Sequence, residues 1–165
     1  MSIATVASRT DPAQPQLPLP VRPPAAPAAV ALLNEARHGL AEAEHATDPV
    51  AKFITSYLAA LRGGAAVLAA RGRPHRGRAR PASVWVLLEA AAPELAEWSA
   101  FFAANSAARA AAQAGITRRI TEESAAELCR QAGLFLELAD RVVHPRADTV
   151  RQCATPPTRK KVQRR

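Results

Sequence analysis

The side chains best suited to acid–base, metal or nucleophilic chemistry are four histidines, His38, His45, His75 and His144, and two cysteines, Cys129 and Cys153. Arg141 and His144 stand at i and i+3, which puts them on one helix face. A histidine near a helix C-terminus is also favoured there by the helix dipole alone. His75 lies inside the run RGRPHRGRAR, where an imidazole could touch a phosphate. His38 and His45 share a face seven positions apart and could begin a metal site. No cysteine or carboxylate cluster completes that site, so a surface pair is the better reading. Cys129 follows an apolar stripe residue and reads as a small buried hydrophobe. Cys153 is too isolated to imply zinc. No glycine-rich phosphate loop follows a strand, and no Gly-x-Ser-x-Gly nucleophile motif occurs. Neither a metal nor a cofactor is expected.

Charge gives a second lead. The chain carries 22 Lys and Arg against 14 Asp and Glu, a formal net charge of +8. The excess is concentrated. Residues 71–80 hold Arg71, Arg73, Arg76, Arg78 and Arg80 with no acid. Residues 151–165 hold Arg151, Arg159, Lys160, Lys161, Arg164 and Arg165, again with no acid. The rest of 27–150 has nine basic and thirteen acidic groups, net −4. A mildly acidic body with a basic loop and a basic tail attracts phosphate backbones through salt-screened electrostatics. Arginine suits that task because its planar fork grips phosphate at two points.

These residues must be positioned by helices. The 165 residues include 40 alanines, about a quarter of the chain, which excludes an all-β fold. Two thiols cannot form a disulfide framework, so the fold rests on an apolar core. Six prolines within residues 1–26 predict an extended, disordered leader. Ala29, Leu33, Ala36, Leu40 and Ala43 alternate at four and three, one face of a helix from Pro27 to about Ala46. Thr47-Asp48-Pro49 starts a second helix, with Ile54, Leu58, Leu61, Ala65 and Leu68 as its stripe and Phe53 and Tyr57 flanking it. Gly63-Gly64 interrupts that pattern and points to a close helix crossing. A third pattern, Val84, Leu88, Ala91, Leu95, Trp98 and Phe102, survives Pro93, so the helix is kinked there or broken and restarted. It stops at Gly115. Thr121 followed by Glu122 and Glu123 opens the last helix, whose stripe is Leu128, Ala132, Phe135, Ala139 and Val142, widened by Leu134 and Leu138. His144-Pro145 ends it. The fold class is all-α: an up-and-down bundle of four to five helices over 27–146, after a leader at 1–26 and before a disordered basic tail at 147–165. A Trp98/Phe102 seam could serve the core or a dimer. No apolar run approaches about 18 residues, so no transmembrane helix is expected. No signal peptide opens the chain, so the expected compartment is the cytoplasm.

Three stretches carry a resemblance: YLAALRGGAAVLAARGRP at 57–74, RPASVWVLLEAAAPELAEWSAFFAANSAARAAAQAG at 80–115 and LFLELADRVVH at 134–144. Together they make residues 28–145 resemble a small actinobacterial family of HEPN domains (higher eukaryotes and prokaryotes nucleotide-binding), most specifically through APELAEWSAFFA at 92–103. The resemblance implies an all-α bundle, often dimeric, within a superfamily rich in ribonucleases and RNA-associated domains. Catalytic members carry an arginine and a histidine separated by four to six residues. Their histidine acts as acid or base on RNA, and their arginine steadies phosphate charge. Here Arg141 and His144 are separated by two residues and Arg71 and His75 by three. The family's ribonuclease motif is therefore absent as written.

The resulting expectation is a non-enzymatic, HEPN-like binding module, homodimeric as the resemblance implies, that holds RNA or another nucleic acid through Arg71, Arg73, Arg76, Arg78, Arg80 and the tail residues Arg159, Lys160, Lys161, Arg164 and Arg165. A metal-independent ribonuclease using Arg141 and His144 is one alternative. A bundle whose partner is another protein is the other.

Overall fold

A computed structural model describes residues 25–72 and 82–145. The expected leader, most of the arginine-rich loop and the basic tail lie outside the described residues. The order is α1 (Pro27–His45), α2 (Pro49–Arg71), α3 (Val84–Ala91), a 3-10 turn (Pro93–Leu95), α4 (Ala96–Gln113) and α5 (Glu122–Val143). Among the described residues there is no strand. The fold is the all-α bundle that the sequence implies.

Local chemistry sets most boundaries. Pro27 and Pro49 occupy first-turn positions, where a missing N–H costs nothing. The Asp48 carboxylate accepts from the N–H groups of Val50 (3.4 Å) and Ala51 (2.9 Å). Thr121 Oγ1 accepts from Ser124 N–H at 3.2 Å, and Ser124 Oγ accepts from Thr121 N–H at 2.9 Å, a reciprocal cap. The chain breaks at Pro93: Ala92 leaves helical geometry, and Pro93 starts the 3-10 turn that leads into α4. After α4 the backbone turns at Gly115, whose φ of 83° favours glycine.

α2 is the centre. It packs on α1 and α5 along their lengths and also meets α3 and α4. This corrects the expected stripe. Ile54, Leu58, Leu61 and Ala65 are only half-buried, whereas Phe53, Ser56, Tyr57, Ala60, Gly63, Gly64 and Val67 are buried. Close helix contact selects the small side chains, and the larger aliphatics ride at the margins. Gly63 and Gly64 serve two different crossings. A Cβ at Gly63 would overlap Leu136 Cδ2 of α5, and one at Gly64 would press on Val84 and Trp85 of α3. By length and composition α2 is also the one described helix able to cross a membrane, but over half of that stretch is buried inside the protein. That burial marks a core helix.

Aromatic side chains fill the remaining volume. Trp85 stacks on Phe102 at 5.0 Å between centroids, and Phe135 meets Phe102 at 5.4 Å. Trp85 Nε1–H donates to the Tyr57 hydroxyl at 2.7 Å, so its polar edge is paired inside the core. Phe102 is wholly buried here, so the Trp98/Phe102 seam belongs to the core of one chain. On α5 the expected Leu134 is exposed and Leu136 takes its place inside.

Candidate functional site

The last turn of α5 faces the middle of α1. Asp140 projects from α5 toward Arg37, whose Nη2 lies 2.8 Å from Asp140 Oδ1. His144 caps the same helix end. Its N–H donates to the Asp140 carbonyl at 2.7 Å. Its ring Nδ1 lies 2.9 Å from the same Oδ1. An ionised carboxylate only accepts, so Nδ1–H is the donor in this contact, and in the neutral ring Nε2 is then the acceptor. Partial burial works to raise the Asp140 carboxyl, but the His144 hydrogen bond and the Arg37 charge outweigh it and hold the group below the usual aspartate range. Arg141 lines the same groove, with Leu40, Glu44 and Glu137. The groove is open and has a volume of about 510 Å³. Its chemistry is that of an oriented imidazole beside two guanidinium groups, balanced by three carboxylates.

The sequence singled out Arg141 and His144, and the fold places both in this groove. It did not single out Asp140 or Arg37. The i, i+4 spacing of Asp140 and His144 is a usable signal once the helix is drawn, whereas Arg37 arrives from another helix.

Other candidates are placed as follows. Arg71 closes α2, forming an ion pair with Glu94 and donating to the Ala91 carbonyl at 3.3 Å. Burial works to raise the Glu94 carboxyl, but the hydrogen bond from Arg71 prevails and lowers it. Arg73, Arg76, Arg78 and Arg80 lie outside the described residues, as do Arg159, Lys160, Lys161, Arg164 and Arg165. His75 and Cys153 do too. His38 pairs with Glu42 at 3.3 Å on the surface, and His45 Nδ1 meets the Ala41 carbonyl at 2.7 Å. Among the described residues no cluster of three or more His, Cys, Asp or Glu could hold a metal. Cys129 is buried.

The sequence pattern of the SAV_6107-like HEPN family matches residues 43–140, more than half of the chain. The chain belongs to this HEPN family. No curated protein and no solved structure matches it. The family match takes in α2, α3, α4 and most of α5. Arg37, Arg141 and His144 lie just outside the matched segment, so this HEPN domain builds its groove partly from residues beyond the shared pattern.

Proposed function

We propose that this HEPN domain is a non-catalytic binding module for single-stranded RNA, held through its two arginine-rich segments. One observation carries the reading. Positive charge is segregated into 71–80 and 151–165, while the remainder of 27–150 is net −4. An acidic body repels a phosphate chain, and the basic segments are left to hold it. Arg71 supports the reading from the described side: its bonds to Ala91 and Glu94 tie the end of α2 to the end of α3 and to the 3-10 turn, which fixes where the chain leaves α2 at Gly72.

The test is binding of labelled RNA at about 50 and 200 mM salt. Replacing Arg76, Arg78 and Arg80 together by alanine is expected to weaken binding and to lower the salt slope by roughly 2, at about 0.7 per lost phosphate contact. Unchanged affinity and slope would refute the assignment.

A second reading has its own observation. The Asp140–His144 hydrogen bond orients an imidazole in the groove that Arg141 also lines. That arrangement supports metal-independent RNA cleavage despite the shortened spacing. Cleavage products on a denaturing gel, lost in His144→Ala with helicity retained, would establish it. Equal cleavage by the variant would end it.

A further inference from the structure

Backbone hydrogen bonds build the turn from α4 into α5. Ile116 N–H donates to the Ala111 carbonyl at 2.9 Å, and Gly115 N–H donates to the Ala112 carbonyl at 3.0 Å. With Gly115 at positive φ, that pair is the Schellman ending of a helix. Ile120 N–H then donates to the Thr117 carbonyl at 2.9 Å, so Arg118 and Arg119 stand at the corners of a tight turn. A Schellman ending usually sets the residue after the glycine against an apolar side chain in the last turn. Here that turn offers only Ala110 and Ala111, too small to cover an isoleucine. Ile116 is left 62% exposed, the most exposed large hydrophobic residue described.

Ile116 does not stand alone. With Ala107, Ala111 and Ile120 it walls an open hollow of about 420 Å³, which Arg118 and Arg119 also line. Both arginines are exposed, and among the described residues neither pairs with a carboxylate. Glu123 follows them closely in sequence. Its carboxylate is occupied by its own backbone N–H and by the Thr121 hydroxyl, which hold it below the usual glutamate range. The hollow therefore joins an apolar wall to two guanidinium groups that lack a counter-charge.

We propose that this hollow docks an acidic amphipathic helix of another protein. The helix seats a large apolar side chain against Ile116 and Ile120 and sets flanking carboxylates on Arg118 and Arg119. Charge selects the occupant, since a guanidinium fork grips a carboxylate at two points. The chain's own segments outside the described residues do not supply one. Residues 1–24 carry Asp11 against Arg9 and Arg22, 73–81 carry no acid, and 146–165 carry Asp148 against seven cations. Shape selects the size. A small-molecule site encloses most of its ligand, whereas this hollow is open, so the occupant must bring surface of its own. A helix does so, because it projects anchors at i, i+3 and i+4 from one edge. Ala107 and Ala111 at the wall are small enough to let it approach closely. The hollow shares no residue with the groove at Asp140, and the inference does not rest on the RNA reading.

The probe is a fluorescein-labelled helical peptide of about 16 residues, with leucines at i, i+4 and i+7 and glutamates beside them. The full chain, freed of nucleic acid, is expected to bind it saturably at about 10–500 μM. Amide shifts in the nuclear magnetic resonance spectrum are expected to concentrate at 107–120. Ile116→Ser is expected to weaken binding at least about fivefold. Arg118→Ala with Arg119→Ala is expected to weaken it at least about tenfold. All three positions are exposed, so helicity is expected to be unchanged. A second peptide with serine for each leucine keeps every glutamate, so its binding measures attraction to the basic segments alone and is expected to be indifferent to Ile116→Ser. RNA affinity is expected to be the same in parent and variants. No saturable binding of the leucine peptide overturns the proposal. So does binding indifferent to Ile116→Ser, which would assign the peptide to the basic segments. A loss of RNA affinity in the double arginine variant would assign those arginines to RNA and overturn it. Self-association abolished by Ile116→Ser would make a second copy the occupant and overturn it too.

Discussion

Gly63→Ala isolates the close crossing of α2 and α5. Two opposing effects set the outcome. Alanine is the better helix former by about 1 kcal/mol. Against that, the new methyl would overlap Leu136 Cδ2 and come within 3.3 Å of Phe135 Cε1. Leu136 is 3% exposed and Phe135 is 0% exposed, so neither can swing out to solvent. Overfilling a packed core costs about 1–3 kcal/mol. The net expectation is a loss of about 1 kcal/mol. Gly64→Ala is the internal control. Its methyl would meet Val84 Cγ1 at 3.1 Å, and Val84, at the first turn of α3, is only half-buried and can yield. Gain and cost there nearly cancel. Leu136→Ala completes the cycle. Alone it removes a buried leucine, at about 2–5 kcal/mol. In that background the Gly63→Ala methyl occupies vacated space and is expected to stabilise by up to about 1 kcal/mol. The same substitution therefore changes sign with its neighbour, a coupling of roughly 2 kcal/mol. Denaturant unfolding followed by far-UV circular dichroism measures all the variants. A Gly63→Ala protein more stable than the parent, or a double variant whose effects simply add, would refute the close-crossing argument.

Two further perturbations probe the core and the groove. Tyr57→Phe keeps the ring beneath Arg109 but leaves the Trp85 indole N–H unpaired in the core, at an expected cost of about 1–3 kcal/mol in unfolding free energy; a loss under about 0.5 kcal/mol would refute the importance of that bond. Asp140→Asn tests the groove through pH. Because the Asp140 carboxyl is held below its ordinary value, its contribution is complete above the ordinary aspartate range and disappears as pH falls through the lowered folded value. The pair is partly exposed, so the variant is expected to lose less than about 1 kcal/mol at pH near 7. The difference should shrink as pH falls through and below the ordinary aspartate range, and a difference that stays constant across the range would contradict the assignment.

Helix ends were the legible part of the fold. Asp48, Thr121, Pro93 and Gly115 act within a turn of their own positions, so their types announce the boundaries. The buried face of α2 was not legible. Hydropathy ranks Ile54, Leu58 and Leu61 above Gly63, Gly64 and Ala60, yet close packing selects the small side chains. The burial of Leu136 and not Leu134 on α5 has a related cause, since Leu136 occupies the space that the missing Cβ of Gly63 leaves open. In the groove, Arg141 and His144 were visible as neighbours on one helix. Asp140 stands i, i+4 from His144 on a helix that the sequence already carries to His144, so it was within reach of that pattern, whereas Arg37 comes from α1, beyond any local pattern. The arginine segments were legible only as charge.

The central position of α2 has a consequence for synthesis on the ribosome. α2 emerges with α1 as its nearest neighbour in sequence, and the two can pair as soon as both are made. The opposite side, centred on Gly63, is completed by α5. Roughly seventy residues separate the end of α2 from the end of α5, which at about 5–20 residues per second of synthesis is about 4–14 s. For that interval the longest described helix, the one long and apolar enough to cross a membrane, lacks its last cover. A nascent chain in that state presents the kind of surface that chaperones bind, and a stall before α5 would strand it there.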